Sequence, residues 1–278
     1  MSRRINKFDP STLRPYRIIL CVGKRGTGKS VLLQDLMYHI RANVDICCAM
    51  SPTQENLTNY EKLMPRSFVH ERFEEPTLTA LVAHQRAVAR KQEPYRILVV
   101  LDDLMYDKSV LKATCIREIF MNGRHLRITL INAMQYVMDM SPDLRSQIDY
   151  VFALRENIIA NRKKLYNFFF GMFPTFDEFE KVMNACTGDH DCLVMDNTIG
   201  SNNISECVFW YKAKLTQPTF KLCRSRFWLK DSCYFCGDEG LDATAGASKK
   251  VHKRKQAGDS MEGGGGVPSG QKIVRLRE

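Results

Sequence analysis

The chain has 278 residues, a hydrophobic fraction of 44% and a formal net charge of +10. The length and the hydrophobic fraction exclude a wholly disordered chain and allow one large or two small domains. The apolar runs "IILCV" and "ILVVL" are only strand-length, which argues against a membrane-spanning helix. The first ten residues lack the apolar stretch of a secretory signal. The positive charge favours a polyanionic partner such as nucleic acid.

Apolar, β-branched runs alternate along the chain with segments of helical periodicity. The pattern predicts helices over about 29–41, 78–92, 108–122 and 175–186, and strands over 17–22, 44–50, 96–103, 127–135, 149–156, 191–197 and 206–215. Such alternation is typical of an α/β fold with a mostly parallel central sheet and helices on both faces. The last two strands follow the main pattern, and we expect them to be additional edge strands or a hairpin.

Composition divides the chain into three parts. We predict an N-terminal arm over 1–15, a folded domain over 16–232 and a basic, Gly-rich, disordered tail over 233–278. Residues 249–255 of that tail, "KKVHKRK", fit a solvated charge run, a non-specific phosphate contact or a nuclear-import signal. The aromatic run "NFFFGMF" at 167–173 is expected to pack in the core.

The segment "GKRGTGKS" fits the phosphate-binding pattern G-x-x-x-x-G-K-[ST] between a predicted strand and a predicted helix. The backbone N–H groups of such a loop surround the phosphates of a nucleoside triphosphate. Lys29 would reach the β and γ oxygens, and Ser30 would bind Mg²⁺. The predicted nucleotide-binding residues are Gly23, Lys24, Arg25, Gly26, Thr27, Gly28, Lys29, Ser30 and Val31.

Two other predicted strands end in polar side chains that suit triphosphate hydrolysis. "RILVVLDD" ends in Asp102 and Asp103, and "RITLINAMQ" ends in Gln135. Since the carboxyl ends of parallel strands lie at one edge of a sheet, these residues are expected near the loop. We predict that Asp102 holds Mg²⁺, Asp103 polarises the attacking water, and Gln135 orients that water or senses the γ-phosphate.

Four blocks carry a resemblance to a known family: "GKRGTGKS", "LVVLDDLMYD", "NGRHLRITLINAMQY" and "SPDLRSQIDYVFALRE". Together they resemble the poxvirus-type genome-packaging ATPases of large double-stranded DNA viruses, within the FtsK/HerA superfamily of P-loop ATPases. The resemblance spans about residues 17–215. It implies an ASCE or RecA-like P-loop fold, ATP and Mg²⁺ as cofactors, and a homo-oligomer such as a pentamer or hexamer.

The resemblance also assigns residue roles. Lys29, Ser30, Asp102, Asp103 and Gln135 match the family's phosphate, magnesium, catalytic and sensor positions. Many cellular members have Asp-Glu at the acidic pair, so the shorter Asp103 leaves open whether it reaches the water directly or through another solvent molecule.

Arg124 in "NGRH" falls where the superfamily carries an arginine finger that enters the neighbouring subunit's site. Arg145 and Arg155 are the alternative fingers. A capping role for Arg124 and His125 at the end of the preceding helix is the other reading of this motif.

The resemblance implies an Mg²⁺-dependent ATPase that drives viral double-stranded DNA into a preformed capsid, docked on a capsid or virion-membrane protein. We expect it in the host cytoplasm at viral factories, in the nucleus or in the virion. A P-loop protein of virion assembly that acts as a nucleotide switch or scaffold is the alternative, and a nucleotide or nucleic-acid kinase is the third reading.

The ten cysteines lack the spacing of a disulfide framework, which favours a reducing compartment. Cys233 and Cys236 have the spacing of a zinc knuckle, but a structural zinc site needs four ligands. Cys223 and His252 are the remaining candidates for such a site.

Overall fold

Five apolar runs form parallel strands at the centre of a ten-stranded mixed sheet. The computed structural model describes residues 2–90, 94–104, 107, 109–137, 140–235 and 271–275. The five central strands are almost wholly buried: β2 Ile18–Val22, β3 Ile46–Met50, β5 Ile97–Asp102, β6 Ile128–Met134 and β7 Tyr150–Ala153. Because helices cover both of their faces, these strands are continuously apolar and do not alternate.

The order of the strands determines which loops meet. The parallel part runs β7-β2-β6-β5-β3-β4, with the two-residue β4 (Val69–His70) outermost. β6 therefore lies between the strand that leads into the glycine loop and the strand that ends in Asp102. This insertion of one strand is the ASCE arrangement that the family resemblance implies. Because the three strands are parallel, the carboxyl ends of β2, β5 and β6 lie at one edge. We call this the carboxyl edge, and the opposite side of the parallel strands the amino edge.

The two late strands form an antiparallel pair, β8 (Asp191–Asp196) and β9 (Val208–Lys212), which confirms the expected hairpin. They do not lie at the edge of the sheet, because β8 also pairs with β7 and β9 also pairs with β1 (Ser2–Lys7). β8 runs antiparallel to β7, so it begins at the carboxyl edge and β9 ends there. The hairpin thus adds loops to that edge.

The two ends of the chain differ from the prediction. Residues 2–7, expected to be part of an arm, form β1, which pairs in antiparallel register with β10 (Gln271–Arg275). The prediction of a disordered tail over 233–278 is therefore wrong for 271–275, and also for 233–235, which end the helix Ser225–Phe235. Pairing between residues more than 260 positions apart leaves no local signal in the sequence, which explains the error.

Helices cover both faces of the sheet. α1 and α2 pack on one face, with Leu32, Leu36 and Tyr60 in its core, whereas α3, α4, α6 and α7 pack on the other. The predicted helix at 108–122 begins only at Thr114, after a 3-10 turn over Val110–Lys112. The helix bounds are α1 Lys29–Ile40, α2 Gln54–Leu63, α3 Glu75–Ala89, α4 Thr114–Asn122, α5 Pro142–Arg145, α6 Ile159–Phe169, α7 Phe176–Cys186, α8 Ile204–Cys207 and α9 Ser225–Phe235.

The aromatic run at 167–173 packs in the core as predicted. Phe170 and Phe173 are fully buried, and their rings lie 5.1 and 5.8 Å from the ring of Phe179 on α7. Seven of the eight described cysteine side chains are buried, and none of the eight forms a disulfide. None of the described helices combines the length and apolar character needed to cross a bilayer.

Candidate active site

The glycine loop connects β2 to α1 and requires glycine at two points. A Cβ on Gly23 would lie 2.6 Å from Leu154 Cδ1, so a side chain there would collide with the end of β7. Gly28 has a φ of +96°, a left-handed conformation that glycine adopts without steric cost. α1 starts directly after it, with the N–H of Leu32 donating to the carbonyl of Gly28 at 2.9 Å. The loop and the first turn of the helix thus direct their N–H groups into one concave site.

The acidic residues that follow β5 contact the loop lysine. The ammonium group of Lys29 pairs with Asp103 Oδ1 and lies 3.9 Å from Asp102 Oδ1. Lys29 is only 7% exposed and Asp102 is fully buried. Asp103 has a φ of +56°, a left-handed conformation that aspartate tolerates better than most residues. The structure therefore brings together the lysine and both carboxylates.

Helix α2 holds one oxygen of Asp102 and leaves the other without a hydrogen bond. The hydroxyl of Tyr60 and the amide of Asn56 donate to Asp102 Oδ2 at 2.9 and 2.8 Å. Asp102 Oδ1 is buried and accepts no hydrogen bond from any described residue. Burial raises the pKa of Asp102 to about 6; Lys29 opposes this shift and Asp103 adds to it. Two donors thus fix the carboxylate while one buried oxygen remains available to a ligand.

This oxygen suits a hard cation. Mg²⁺ binds through one or two protein oxygens together with phosphate oxygens and water. Asp102 Oδ1 and the hydroxyl of Ser30 supply oxygens of that kind on adjoining elements. Ser30 Oγ lies 3.5 Å from Asn56 Oδ1, and Asn56 also contacts Asp102, so the three side chains border one space. The residues present fit the predicted magnesium position.

Gln135 lies beside the acidic pair, as predicted from its place after β6. Its side-chain amide is 3.3 Å from Asp103 Oδ2. Both groups therefore border the same point of the carboxyl edge. A water there would meet an acceptor on Asp103 and a donor on Gln135.

Arg124 lies at the amino edge. It belongs to the turn between α4 and β6, and seven residues of β6 separate that turn from Gln135, about 20 Å at 3.3 Å per residue. Its guanidinium pairs with Asp149, which also accepts from Arg17 at 3.3 Å and from the N–H of Ile18 at 2.9 Å. The side chain of Arg124 is nevertheless 59% exposed. Arg124 is therefore remote from the phosphate loop of its own chain.

The two alternative arginines differ in position. Arg145 is on α5, with its guanidinium carbon 4.0 Å from the centre of the Phe168 ring. Arg155 follows β7 at the carboxyl edge and lines a cavity of about 350 Å³ together with residues 24–27. Arg155 is thus the one of the three that lies beside the loop of the same chain.

Several residues of this site are absent from the sequence prediction. Asn56 and Tyr60 lie on α2, which the pattern did not predict. Glu156 is 6% exposed and pairs with Lys24 of the loop at 2.8 Å. Burial raises the pKa of Glu156, but hydrogen bonds, the first of them from Lys24, outweigh it and leave the pKa below its usual value. His190 covers Gly28: a Cβ on that glycine would lie 3.3 Å from His190 Cβ.

The candidate zinc site lies outside the described part of the structure, because Cys236, His252 and the side chain of Cys233 are not described. The basic run at 249–255 is likewise outside it. Among the described residues no group of three or more His, Cys, Asp or Glu side chains is arranged to hold a metal ion.

Comparison with known proteins identifies the family. The profile of the family described as Poxvirus A32 protein matches residues 6–164, more than half of the chain. The chain belongs to this family. The matched segment includes the glycine loop, the acidic pair, Arg124 and Gln135. The resemblance inferred from the sequence is thereby confirmed.

Relatives of this A32-family chain occur in large DNA viruses. A protein of Acanthamoeba polyphaga mimivirus is 37% identical over 218 residues, which cover 75% of this chain and 76% of the relative. A protein of Invertebrate iridescent virus 3 is 35% identical over 195 residues, covering 70% and 75% of the two chains.

Solved structures show the same fold as this A32-family chain. The DNA-packaging ATPase B204 of Sulfolobus turreted icosahedral virus aligns with a TM-score of 0.53 and 17% identity, over 73% of this chain and all of that one. The packaging NTPase B204 of Sulfolobus turreted icosahedral virus 2, in complex with sulfate, aligns with a TM-score of 0.51 and 16% identity, over 74% of this chain and all of that one. At this identity the likeness establishes the P-loop fold. The A32 profile match ends at residue 164, so the turn that carries His190 lies outside it.

Proposed function

We propose that this protein is an Mg²⁺-dependent ATPase that drives viral double-stranded DNA into the capsid and works as a homo-oligomer. One observation carries the proposal: Lys29, Asp102, Asp103 and Gln135 converge at the carboxyl edge, with a buried oxygen of Asp102 left without a hydrogen bond. Membership of the A32 family supports the choice of DNA packaging, since proteins of the same fold are described as packaging ATPases.

The loop would bind the triphosphate through its N–H groups and the positive end of the α1 dipole. In the free protein Asp103 neutralises Lys29. A γ-phosphate would replace Asp103 at the lysine and release the carboxylate toward water. Ser30 and Asp102 would hold Mg²⁺, which neutralises charge on the phosphate oxygens.

Hydrolysis then needs an oriented water. Asp103 Oδ2 would accept a proton from it while the Gln135 amide fixes its position, since these two groups are 3.3 Å apart. The water oxygen bonds to the γ-phosphorus, and the bond from that phosphorus to the β–γ bridging oxygen breaks. ADP and phosphate leave, and Asp103 passes its proton to solvent. Lys29 and a transiently placed arginine would stabilise the charge that develops.

Arg124 would supply that arginine to a neighbouring subunit. It lies about 20 Å from the carboxyl edge of its own sheet, so it can complete only the site of another copy. A pentamer or hexamer would place the amino edge of one subunit against the carboxyl edge of the next. Release of Arg124 from Asp149 leaves that carboxylate paired with Arg17 and the Ile18 N–H.

Double-stranded DNA is the proposed molecule that the ATPase moves. The protein would contact it independently of base sequence, because a packaging ATPase must move any part of a genome. The net charge of +10 is consistent with phosphate contacts. A capsid or virion-membrane protein would dock the assembly, in cytoplasmic viral factories, in the nucleus or in the virion.

The test is steady-state phosphate release with ATP and Mg²⁺, with and without long double-stranded DNA, alongside Lys29→Ala. We expect DNA to raise a rate that Lys29→Ala abolishes. Hydrolysis that is indifferent to DNA would favour the switch or scaffold function instead. Phosphate transfer to an acceptor other than water would indicate a kinase, and an assembled protein that never hydrolyses ATP would refute the proposal.

A further inference from the structure

Two cavities adjoin at the carboxyl edge and share one wall. The first, of about 350 Å³, is bordered by residues 24–27 of the loop and by Arg155. The second, of about 230 Å³, is bordered by Gly28, Val31, the last residue of β9 (Lys212) and residues 213 and 215 after it. Asp189 and His190 border both cavities. The second cavity lies beside the first turn of α1, and none of the roles described so far uses it.

The polarity of the loop determines which part of a nucleotide would enter the second cavity. The γ-phosphate end is defined by Lys29, Asp103 and Gln135, which cluster where β5 and β6 end. The second cavity touches Gly28 and Val31 but neither Asp103 nor Gln135. It therefore lies on the other flank of the loop, the side from which a nucleoside would extend.

A third cavity, of about 190 Å³, lies between α1 and α2 and is the competing location. It is bordered by Ser30, Asn56 and the acidic Glu55. Since Ser30 and Asn56 adjoin Asp102, this space belongs to the metal side of the site. A nucleobase there would occupy the flank on which the cation and the γ-phosphate are expected.

The walls of the second cavity suit a planar apolar ring. Val31, Ala213 and Leu215 supply aliphatic carbon, and Leu215 is 80% exposed to solvent. A base lying on Leu215 would remove this apolar surface from water. At the rim Lys212 pairs with Asp189 and lies 3.8 Å from Asp191, so opposite charges meet there. Contact and shape, and not hydrogen bonds to the base edge, would therefore hold the ring.

The shared wall is built in a way that local sequence rules do not favour. Asp189 and His190 both have left-handed backbones, with φ of +51° and +62°. Two consecutive non-glycine residues in this region are energetically unfavourable, and such strain concentrates at ligand sites. The turn brings His190 against Gly28, between the phosphate loop and the second cavity.

We infer that the second cavity is the nucleobase pocket of this protein and that it discriminates weakly among bases. His190 lies where the ribose or α-phosphate would pass between the two cavities. The inference rests on the proposed function, because it assumes a triphosphate in the loop. Apolar pockets separate similar ligands by roughly 10- to 200-fold, whereas hydrogen-bonding sites reach 10⁴-fold or more. ATP and GTP should accordingly bind within about 100-fold of each other.

The experiment measures, by calorimetry with Mg²⁺, the binding of ATP, GTP and inorganic tripolyphosphate, which has no base. Ala213→Phe, which fills the cavity, should weaken the binding of ATP at least tenfold. The affinity for tripolyphosphate should stay within about twofold of that of the wild type. Leu215→Ala should weaken the binding of ATP about threefold, because the shorter side chain covers less of the base. Leu229→Ala is the matched control, at a leucine on α9 that is 68% exposed, and it should not change the affinity for either ligand.

The outcomes separate the two proposals. If Lys29→Ala abolishes binding of ATP and tripolyphosphate but the Ala213 and Leu215 variants bind ATP normally, the base lies elsewhere and the phosphate site stands. Equal weakening of both ligands in Ala213→Phe, or ATP more than 100-fold tighter than GTP in the wild type, also overturns the inference. If Lys29→Ala changes the binding of neither ATP nor tripolyphosphate, the proposed function itself fails. Leu215→Ala keeps the test valid if Ala213→Phe does not fold, since so exposed a side chain adds little to stability.

Discussion

Asp45 at the amino edge and Asp102 at the carboxyl edge are both buried, yet their surroundings differ. Asp45 accepts hydrogen bonds from the backbone N–H and guanidinium of Arg96, at 3.0 and 2.7 Å, and from Arg224 at 3.0 Å. Burial acts to raise the pKa of Asp45, but these bonds, led by those of Arg96, hold it well below its usual value. Asp102 has no arginine partner among the described residues, one oxygen without a hydrogen bond and a pKa raised to about 6.

The difference separates a structural carboxylate from one that we propose to bind a cation. At the amino edge Asp149 repeats the pattern of Asp45, with Arg17 and Arg124 on one carboxylate. The protein thus pairs both buried carboxylates of the amino edge with arginines, whereas at the carboxyl edge one oxygen of Asp102 is left without a hydrogen bond. Perturbed, partly satisfied carboxylates of this kind are typical of functional sites.

The largest effect is expected from Asp102→Asn. The amide keeps the volume and can still accept from Tyr60, but it removes the charge that would hold Mg²⁺, so phosphate release should fall at least about 100-fold. The same change should stabilise the metal-free protein by about 1–3 kcal/mol at pH 7.5, because an incompletely paired buried charge disappears. Urea unfolding measures this gain. A clear drop in stability would mean that the carboxylate is structurally satisfied.

Asp45→Asn is the matched change at the amino edge. It leaves Arg96 and Arg224 without their carboxylate, and we expect a destabilisation of about 2 kcal/mol, since both arginines are partly exposed and rehydrate. Thermal unfolding should shift downward by roughly 5 °C. Binding of ATP, measured by calorimetry below that transition, should stay within about twofold of the wild type; a large decrease would show that the two edges are not independent.

The pH dependence of the unfolding free energy should also distinguish Asp102 from Asp45. The folded-state pKa of Asp102 is raised to about 6. Its charge therefore destabilises the metal-free fold fully above pH 6, and this penalty disappears as pH falls toward 4. The gain in the free energy of unfolding caused by Asp102→Asn should therefore shrink between pH 6 and 4.

Asp45 has a lowered pKa, so its charge stabilises the fold above about pH 4 and this contribution is lost only in stronger acid. The loss of unfolding free energy caused by Asp45→Asn should therefore stay constant between pH 7 and 5. Urea unfolding at several pH values tests both pH dependences. If the free energy of unfolding changed with pH in the same way in the two variants, the proposed difference between Asp102 and Asp45 would be contradicted.

Much of the site could be predicted from the sequence because it depends on strand ends. Runs of buried β-branched residues predicted the central strands, and parallel strands bring their carboxyl ends together. Asp102, Asp103 and Gln135 follow directly from that rule, and Lys29 follows from the pattern of the glycine loop. The catalytic roles assigned to them stay predictions until turnover is measured.

What escaped prediction depends on non-local contacts or on weak periodicity. α2 has only three buried apolar positions, Leu57, Tyr60 and Leu63, in a largely polar segment, so its helical pattern was easy to miss. Without that helix, the sequence offers no indication that the hydroxyl of Tyr60 donates to Asp102. His190 is brought to the loop by a strained turn before an antiparallel strand, and no spacing rule predicts that placement.

The most direct test of the two-edge account is to mix two inactive variants. Lys29→Ala disables the carboxyl edge but keeps Arg124, whereas Arg124→Ala disables the amino edge but keeps the phosphate site. Each alone should release phosphate at a small fraction of the wild-type rate, with Arg124→Ala still binding ATP. Because each assembled mixture contains interfaces between an intact Arg124 and an intact Lys29 site, mixing should restore a substantial part of the rate. No restoration in co-assembled protein, or full activity of Arg124→Ala alone, would contradict the claim that one subunit's amino edge completes its neighbour's site.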